Sequence, residues 1–513
     1  MKLFACTALL AFLAGCGEPG KPEQQTTQTQ TTRTDYNEPY RPQIHFTPRR
    51  HWMNDPNGMV YHNGTYHLFF QHNPDSSVWG PMHWGHATSA DLVHWTEQPI
   101  ALYPDSIGTI FSGSAVYDTS NTSGFGKDGK APLVAIYTQH NTDREKAKRT
   151  DVQNQSIAYS LDEGKTWTKY SGNPVIKNPG IPDFRDPKVA WFGAVKKWIM
   201  TLATSDHITF YSSPNLKDWK KESEFGKGLG AHGGVWECPD LIPFDQGGEK
   251  VWALIVNLNP GGPNGGSATQ YFTGQFDGSR FTPNQTGTKW LDYGPDEYSG
   301  ITWSNTGDRK IFIGWMSNWQ YAQVVPTEQW RSATTVPREL ALEKLGNQYL
   351  LASRPVPELD HLAGKPEVMN NIAAADFDLT GKAGKLTGAA RIDLTSDKLT
   401  SFSITLSNNA GDSLVIGYEK AANRYFIDRT HAGQVQFEKG FAAKHTAPRF
   451  AQGGPVDMTL IIDDASVELF ADKGLSVMTA IFFANKPLTS IHFRSADGFM
   501  IKSLRYSSLK RIW

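Results

Sequence analysis

With 513 residues, the chain is longer than a single compact core usually is, so its length favours two domains. Hydrophobic residues make up 39% and charged residues 20% of the sequence, which is typical of a folded globular protein and unlike a disordered or membrane-spanning chain. The 50 basic and 51 acidic residues nearly cancel, and without a positive field the protein is not expected to bind nucleic acid.

The first 16 residues have the pattern of a secretory signal. Lys2 precedes a short apolar run over residues 3–13, and Leu13-Ala14-Gly15-Cys16 is a small-residue cleavage site. These four residues resemble a bacterial lipobox, in which Cys16 becomes lipidated; the alternative is an ordinary signal peptide with a chance cysteine. The sequence therefore predicts export across the inner membrane and a lipid anchor in the bacterial cell envelope, on its periplasmic or its cell-surface face.

A tether is predicted next, over residues 17–40. This segment is rich in Gln and Thr and nearly lacks apolar residues up to Thr34, so it cannot bury itself. After the signal and the anchor, the body of the protein keeps only Cys238, which predicts neither an internal disulfide nor a cysteine-based metal site.

Residues 41–345 are predicted to be nearly all β. Short strand-like runs alternate with turns, and long helical periodicity is absent. One hairpin is marked by Asn63-Gly64, which separates the apolar runs of residues 59–61 and 66–70.

A short pattern recurs along this region. Residues 89–95 read S-x-D-x-x-x-W, and closely similar versions follow at residues 160–167 and 213–219, each after a strand-like run. A unit of a few antiparallel strands that recurs in this way predicts the blades of a β-propeller. At roughly 40–60 residues per blade, the region holds five or six blades.

The last third of the chain differs in character. Residues 346–366, with Arg354-Pro355-Val356-Pro357, are predicted to be a linker that contains a short helix at residues 358–362. Residues 367–513 contain alternating strands with regularly spaced turns, which predicts a β-sandwich. This second domain holds no dense cluster of candidate catalytic groups, so it is interpreted as a supporting domain.

Three acidic motifs are the candidates for chemistry. Asp55 lies in His51-Trp52-Met53-Asn54-Asp55-Pro56-Asn57-Gly58, Asp186 in Arg185-Asp186-Pro187, and Glu237 in Trp236-Glu237-Cys238-Pro239-Asp240. Taken alone, the first motif is good turn chemistry. Each acid nevertheless lies beside a proline at a loop edge between strands, where catalytic groups are often mounted.

Together the three motifs resemble glycoside hydrolase family 32, which contains invertases, inulinases and levanases. They occur in the order and at the spacing of that family, and the resemblance extends over about residues 42–345 and more loosely beyond. Further similar pieces are Phe111-Ser112-Gly113-Ser114, Gly314-Trp315-Met316 and Pro337-Arg338-Glu339-Leu340. The resemblance implies an all-β fold, a five-bladed β-propeller followed by a C-terminal β-sandwich.

The same resemblance implies an exo-acting, retaining hydrolase that releases fructose from levan, inulin or sucrose. Two carboxyl groups are what hydrolysis through an oxocarbenium-like state requires. Asp55 would be the nucleophile, Glu237 the acid and base, and Asp186 the carboxylate that binds fructose hydroxyls without bonding covalently. Arg185 would join those hydroxyl contacts and keep Asp186 ionised.

A substrate-binding shell is also implied by the resemblance. Its hydrogen-bonding and aromatic side chains are Asn54, Gln71 and Ser114 for the fructose hydroxyls, Trp79, Phe111 and Trp315 for the pocket walls, and Asp292 at the cleft rim. Without the resemblance, a tryptophan in a β protein is usually a core residue and a lone glutamine is usually solvated.

Two other functions stay open at this point. A fructosyltransferase would pass the covalent intermediate to a sugar hydroxyl, and a non-catalytic glycan-binding protein would need only the anchor and an aromatic cleft. No cofactor is predicted. No metal site is predicted either, because the His83 and His86 spacing suits two ligands on a helix and this region is stranded. Cys238 is interpreted as a small buried hydrophobic residue.

Overall fold

Strands account for nearly all regular secondary structure in the computed structural model, which describes residues 36–285, 287–451, 453 and 455–513. The predicted signal at residues 1–16, the lipidation of Cys16 and most of the tether at residues 17–40 lie outside the described residues. Across the described part of the chain, no helix is long and apolar enough to cross a membrane.

Five antiparallel sheets make up the first part of the chain. The first sheet contains β1 (His51–His62), β2 (Thr65–Asn73), β3 (His83–Ser89) and β4 (Thr96–Leu102). The second contains β5 (Thr109–Tyr117), β6 (Leu133–His140), β7 (Gln153–Ser160) and β8 (Thr168–Lys169), with the short helix α1 (Thr142–Lys146) between β6 and β7. The third contains β9 (Phe184–Phe192), β10 (Lys197–Thr204), β11 (His207–Ser213) and β12 (Lys220–Phe225).

The fourth and fifth sheets follow the same plan. The fourth contains β13 (Val235–Gln246), β14 (Glu249–Asn259), β15 (Ala268–Phe276), β16 (Phe281–Pro283) and β17 (Lys289–Trp290). The strands from there to the end of the fifth sheet are β18 (Tyr298–Thr302), β19 (Ile311–Met316), β20 (Trp330–Arg331), β21 (Ala333–Thr334), β22 (Arg338–Leu345) and β23 (Gln348–Pro355). Of these, β20 pairs with β1 of the first sheet rather than within the fifth.

These sheets are the blades of a five-bladed propeller, as predicted. The innermost strands β1, β5, β9, β13 and β18 each contact the next, and β18 contacts β1 to close the ring. The closure is reinforced by the parallel pairing of β20 with β1, which places Trp330 opposite His51.

The recurring sequence pattern forms the turn between the third and fourth strands of the first three blades. In each copy the first serine hydroxyl donates a hydrogen bond to the side chain two residues later, from Ser89 to Asp91, Ser160 to Asp162 and Ser213 to Asn215. The carboxylate or amide oxygen then accepts backbone N–H groups of the turn, for example those of Val93 and His94. This local capping explains why the same residue types recur.

Every innermost strand is irregular near the end at which it begins. The pairing register shifts between Met53 and Pro56 in β1, between Ile110 and Gly113 in β5, beside Asp186 in β9, between Glu237 and Asp240 in β13, and between Tyr298 and Ile301 in β18. A β-bulge turns side chains away from strict alternation and often accompanies an active site. Five bulges at one end of the ring therefore gather side chains around the propeller axis.

The last third of the chain is a sandwich of two six-stranded antiparallel sheets, as predicted. A 3₁₀ helix (Pro357–Leu362) leads into it, and a short helix α2 (Leu379–Ala383) follows β25. In chain order the strands are β24 (Glu367–Ala373), β25 (Asp376–Asp378), β26 (Ala390–Ser396), β27 (Phe402–Ser407), β28 (Ser413–Glu419), β29 (Arg424–His431), β30 (Lys444–Pro448), β31 (Val456–Asp463), β32 (Ser466–Ala471), β33 (Ser476–Ile481), β34 (Ser490–Arg494) and β35 (Met500–Ser508). Their facing apolar side chains form the core of the sandwich.

The propeller and the sandwich share a hydrophobic core. One cluster of buried residues joins Met53 and Ile313 of the propeller to Phe470 and Val477 of the sandwich. Residues 36–513 accordingly form one compact unit. The fifth blade also continues beyond the expected boundary at residue 345, because β22 and β23 pair as a hairpin within it.

Candidate active site

Asp55 lies at the bulge of β1, at the open end of the propeller axis. The side-chain amide of Asn54 donates a hydrogen bond of 2.9 Å to Oδ1 of Asp55, and the hydroxyl of Ser112 donates one of 2.5 Å to Oδ2. Asn54 is itself oriented by the indole N–H of Trp52, which donates to its Oδ1 at 2.7 Å. The carboxylate is thus held on both oxygens from two adjacent blades.

Asp186 is buried on β9 in the left-handed backbone region, with φ at +63°. Its backbone N–H donates to Oγ1 of Thr138 at 3.0 Å, and its Oδ2 accepts the backbone N–H of Cys238 at 3.0 Å. Burial raises the pKa of Asp186 to about 7; the charge of Arg185 opposes this rise, while Glu237 and Asp55 add to it.

Glu237 lies at the bulge of β13 and accepts hydrogen bonds from two residues. Arg185 donates to its Oε1 from Nη2 at 2.8 Å and from Nε at 3.2 Å. The hydroxyl of Tyr298, at the start of β18, donates to its Oε2. Because Tyr298 and Arg185 belong to the blades on either side, Glu237 is fixed from both neighbours.

Cys238 connects the three acids. It follows Glu237 in the chain, its N–H donates to Asp186, and its Sγ lies 3.6 Å from Oδ2 of Asp55. The residue is buried with φ at +41°, and burial together with the three carboxylates raises the pKa of its thiol well above the usual range. The thiol is therefore a neutral spacer between carboxylates and not a nucleophile.

Arg185 has closer partners than Asp186, which the resemblance implied it would keep ionised, although its charge does oppose the rise in the pKa of Asp186. Its guanidinium lies on Glu237 and on Asp183, 2.5 Å from Oδ1 of the latter, whereas its Nε is 3.9 Å from Oδ2 of Asp186. The left-handed conformation of Asp186 turns the two neighbouring side chains to these different partners.

Gln71 and Trp315 lie near the acids with unused hydrogen-bond donors. Gln71, on β2, lies between the residues that pair with Met53 and Pro56, so it is opposite the bulge that carries Asp55. Trp315 pairs with Tyr298 across β18 and β19. Both side chains are buried, and Nε2 of Gln71 and Nε1 of Trp315 have no partner among the described residues. Buried donors of this kind are suited to the hydroxyls of a bound ligand.

Aromatic rings form one side of the rim. Trp79 is 40% exposed and meets Phe111 edge to face, with ring centroids 6.0 Å apart. Phe111 in turn stacks on His140 at 4.5 Å, and its backbone precedes Ser112. The rim of the first two blades therefore offers apolar ring surface beside Asp55.

Two residues of the expected shell lie elsewhere. Ser114 is buried; its hydroxyl donates to the carbonyl of Pro187 and accepts the N–H of Val189, so it joins β5 to β9. Asp292 is not on the rim: it is 1% exposed and pairs with Arg338 at 2.9 Å. The bulge in β5 explains the first difference, because it directs Ser112 and not Ser114 at Asp55.

The structure also brings together residues that sequence reasoning missed. Ser112 and Ser114 lie two residues apart in the same motif. The β-bulge, which the motif does not reveal, determines which of the two serines faces Asp55. Tyr298 had no motif of its own. Trp319 is half-buried, with its ring 5.0 Å from that of Trp315 and 5.8 Å from that of Trp52.

Within residues 36–285, 287–451, 453 and 455–513, no group of three or more His, Cys, Asp or Glu side chains is arranged to hold a metal ion. His86, one of the two histidines considered for a metal pair, instead contacts His67, with ring nitrogens 3.1 Å apart.

Known sequences match nearly the whole described chain. The profile of the Glycosyl hydrolases family 32 N-terminal domain matches residues 45–355, and that of the Glycosyl hydrolases family 32 C terminal matches residues 358–510. A levanase of Bacillus subtilis (strain 168) is 45% identical over 492 residues, covering 93% of this chain and 72% of the levanase. An extracellular exo-inulinase of Aspergillus awamori is 41% identical over 501 residues, covering 90% of this chain and 93% of the inulinase.

Solved structures agree with the sequences. The crystal structure of the Aspergillus awamori exo-inulinase has a TM-score of 0.85 and 38% identity, covering 93% of this chain and 100% of the other. The β-fructofuranosidase of Schwanniomyces occidentalis, complexed with fructosyl-erythritol, has a TM-score of 0.84 and 35% identity, covering 93% and 99%. The chain therefore belongs to glycoside hydrolase family 32 and is a glycosidase of the fructofuranosidase type.

Proposed function

We propose that the protein is an exo-acting, retaining hydrolase that releases fructose from levan or inulin, from sucrose, or from both. The observation that carries this proposal is the cluster around Cys238, which brings Asp55, Asp186 and Glu237 to the same end of the propeller axis. A protein that only binds glycans has no need of three carboxyl groups in one cluster. Asp186 is buried and Asp55 and Glu237 are partly buried, and bringing like charges together away from water is unfavourable.

In the first step, a carboxylate oxygen of Asp55 attacks the anomeric carbon of the terminal fructose. Glu237 gives its proton to the oxygen of the departing sugar, so that the C–O bond to that sugar breaks while the bond to Asp55 forms. Asn54 and Ser112 hold the Asp55 carboxylate in one orientation, which favours attack from a fixed direction.

In the second step, water replaces the departed sugar. Glu237, now ionised, takes a proton from the water, which attacks the anomeric carbon and releases Asp55. Asp186 lies beside the reacting centre and stabilises the positive charge that develops on the ring in both steps. Two inversions at the same carbon give net retention.

Exo action is supported by how the axis is closed below the acids. Lys188, two residues beyond Asp186, donates to the carbonyl of Thr302 and lies 3.4 Å from Asp240. The Thr302 hydroxyl donates to Asp240 at 2.7 Å. These buried groups from three inner strands close the base of the site, so substrate reaches the acids only from the rim, as a pocket that receives a chain end would require.

A product time-course tests the reaction. The purified protein is incubated separately with levan, inulin and sucrose, and the released sugars are separated by chromatography. Free fructose from the first time point is expected, and the relative rates identify the preferred linkage. Early oligosaccharides would contradict exo action, transfer products from concentrated sucrose would indicate a fructosyltransferase, and no products from any substrate would indicate a binding protein.

Retention and the role of Glu237 are tested separately. With methanol as a competing acceptor, a retaining enzyme is expected to form methyl β-fructofuranoside, whereas the α product would contradict a covalent intermediate. Glu237→Gln is expected to abolish turnover of sucrose while largely preserving fructan binding, and full activity of this variant would refute the assignment.

The location of the enzyme is part of the proposal. Residues 13–16 support lipidation at Cys16, and so an anchor in the bacterial cell envelope. Cys16→Ala is expected to lose incorporation of labelled palmitate and to leave the membrane fraction. Equal labelling of the variant and the native protein would exclude this anchor.

A further inference from the structure

The segment that leads into β18 is hydrogen-bonded to the sandwich as well as to its own blade. The N–H of Tyr293 donates to the carbonyl of Val477 at 2.8 Å, and the N–H of Asp296 donates to the carbonyl of Thr479 at 3.2 Å. In return, the N–H of Ile481 donates to Oδ2 of Asp296 at 2.8 Å. β33 is the edge strand of its sheet, so this propeller segment uses hydrogen-bonding groups that the sandwich leaves free.

Two buried side chains, one from the sandwich and one from the propeller, fix the position of Asp296. Arg429, on β29 of the sandwich, donates to Oδ2 of Asp296 from Nη1 at 2.7 Å, and Tyr321 of the propeller donates to Oδ1. Arg429 also donates to the Tyr321 hydroxyl at 2.9 Å, and its guanidinium lies 3.8 Å from the ring centroid of Phe441. We call Asp296, Arg429 and Tyr321 the interface triad; all three are buried.

The interface triad is close in the chain to a residue of the active site. Asp296 precedes Tyr298 by two residues, and the hydroxyl of Tyr298 donates to Oε2 of Glu237. Between them, Glu297 is buried against the backbones of Gly300 and Gly314, where an added Cβ would lie 2.7 Å and 2.4 Å from its Oε1. Such tight packing leaves little room for Tyr298 to move independently of Asp296.

We propose that the sandwich positions Glu237 through the interface triad, with Asp296, Arg429 and Tyr321 as positioning residues that set where the Tyr298 hydroxyl meets the Glu237 carboxyl. This inference rests on the proposed function, in which Glu237 protonates the leaving group. The hydrogen bond that Arg429 of the sandwich donates to the buried carboxylate of Asp296 defines its position more precisely than apolar packing would. A shift of the acid by a fraction of an ångström lowers the rate of proton transfer without preventing substrate binding.

The chain supplies a matched control. Inside the sandwich, Asp472 accepts hydrogen bonds from Arg449 at 3.0 Å and from the Tyr425 hydroxyl at 2.9 Å. We call these three the sandwich triad. It has the same three residue types as the interface triad and is similarly buried, but all its members lie in the sandwich. Tyr321→Phe and Tyr425→Phe therefore remove the same hydroxyl from the same kind of cluster, and only the first is expected to affect Glu237.

The experiment compares two substrates that differ in their need for an acid. Sucrose has a poor leaving group that must be protonated, whereas an aryl β-fructofuranoside with a nitrophenolate leaving group departs without a proton. For Tyr321→Phe we expect kcat/KM, which reports the fructosylation step alone, to fall about tenfold on sucrose and to change little on the aryl substrate. For Tyr425→Phe we expect both rates to match the native enzyme. All assays are run well below the melting temperature of each variant.

A second variant and a reference complete the test. Arg429→Lys keeps the charge but shortens the reach to Asp296, and it is expected to show the same selective loss on sucrose. Equal losses of kcat/KM on both substrates, or no loss on either, in both interface variants would overturn the inference. Glu237→Gln serves as the reference: because Glu237 is also the base of the second step, its kcat is expected to fall on both substrates, but its kcat/KM only on sucrose. If kcat/KM too failed to distinguish the two substrates, the proposed role of Glu237 would be wrong, which separates that failure from a failure of the positioning inference.

Discussion

The hydroxyl of Ser112 donates a 2.5 Å hydrogen bond to Oδ2 of Asp55 from the strand of the neighbouring blade. Sγ of Cys238 approaches the same oxygen at 3.6 Å, while Asn54 donates to the other oxygen. Among the residues that the structure describes, the side chains that donate to the proposed nucleophile are therefore neutral, and they hold the carboxylate without the strong attraction of a cation.

Removing the Ser112 hydroxyl should slow the reaction without unfolding the protein. A hydrogen bond to a charged group contributes about 1.5–3 kcal/mol, so we expect Ser112→Ala to lower kcat by roughly tenfold to a hundredfold, with a smaller change in KM. Steady-state kinetics on sucrose and inulin measure this.

Ser114→Ala is the control, because Ser114 lies two residues away and joins β5 to the carbonyl of Pro187 and the N–H of Val189. We expect it to lower the free energy of unfolding by about 1–3 kcal/mol while kcat stays close to the native value. A reversed pattern, with Ser114→Ala slow and Ser112→Ala unaffected, would return the substrate contact to Ser114.

Asp292 should matter for stability and not for substrate binding. Its carboxylate pairs with Arg338 and accepts the N–H and the hydroxyl of Thr479 from the sandwich. Removing one partner of a buried ion pair typically costs about 3–5 kcal/mol, so Asp292→Ala is expected to lower the unfolding midpoint in urea markedly. An increase in KM for fructan with unchanged stability would instead place Asp292 at the cleft rim.

Glu297 should make the folded protein less stable as the pH rises. Burial, with the nearby charge of Asp292, raises its pKa from 4.5 to about 8, so the folded state keeps a proton that the unfolded chain loses. The stabilising effect of that proton is complete below pH 4.5 and disappears as the pH rises towards 8. The variant Glu297→Gln does not titrate at this position. Between pH 4.5 and 8, the free energy of unfolding of the native protein should therefore fall relative to that of the variant. A difference that stays constant over this range would show that Glu297 is ionised in the folded protein.

His45 should give a second pH dependence at the propeller–sandwich interface. Burial disfavours its imidazolium, but hydrogen bonds and charges from Asp463 and Glu468 outweigh burial and raise its pKa from 6.5 to about 9. The stabilisation is therefore fully present below pH 6.5 and is lost as the pH rises to 9. Urea unfolding of the native protein and of His45→Gln should show a difference that shrinks over this window, and a difference independent of pH would mean that His45 is neutral throughout.

The sequence predicted the propeller and the three acids because both leave local patterns. The turn capped by Ser89 and Asp91 repeats within a few residues, and each acid lies in a compact motif. The β-bulges leave no such signal, since they depend on pairing with neighbouring strands, and so the sequence does not reveal that Ser112, and not Ser114, faces Asp55. Asp292 could not be assigned from the sequence either, because Thr479, which determines its environment, is 187 residues away.

The aromatic rim should contribute to substrate affinity more than to catalysis. Trp79 is 40% exposed and meets Phe111 edge to face beside Asp55, so a sugar ring that covers part of its indole would bury apolar surface. Covering about 60 Å² contributes about 1.5 kcal/mol at 25 cal/mol/Å², so Trp79→Ala is expected to raise KM for inulin and levan roughly tenfold, with kcat little changed.

Trp191 provides the matched control for Trp79. Trp191 is 44% exposed and packs against Trp198. It lies near the far end of β9, five residues beyond Asp186 along an extended strand. That separation is about 16 Å, too far for a sugar bound at the acids to reach. Trp191→Ala is therefore expected to leave KM unchanged. Equal KM values for the native protein and both variants would exclude Trp79 from the binding shell, whereas an effect of Trp79→Ala alone would show that a sugar unit lies against the first blade.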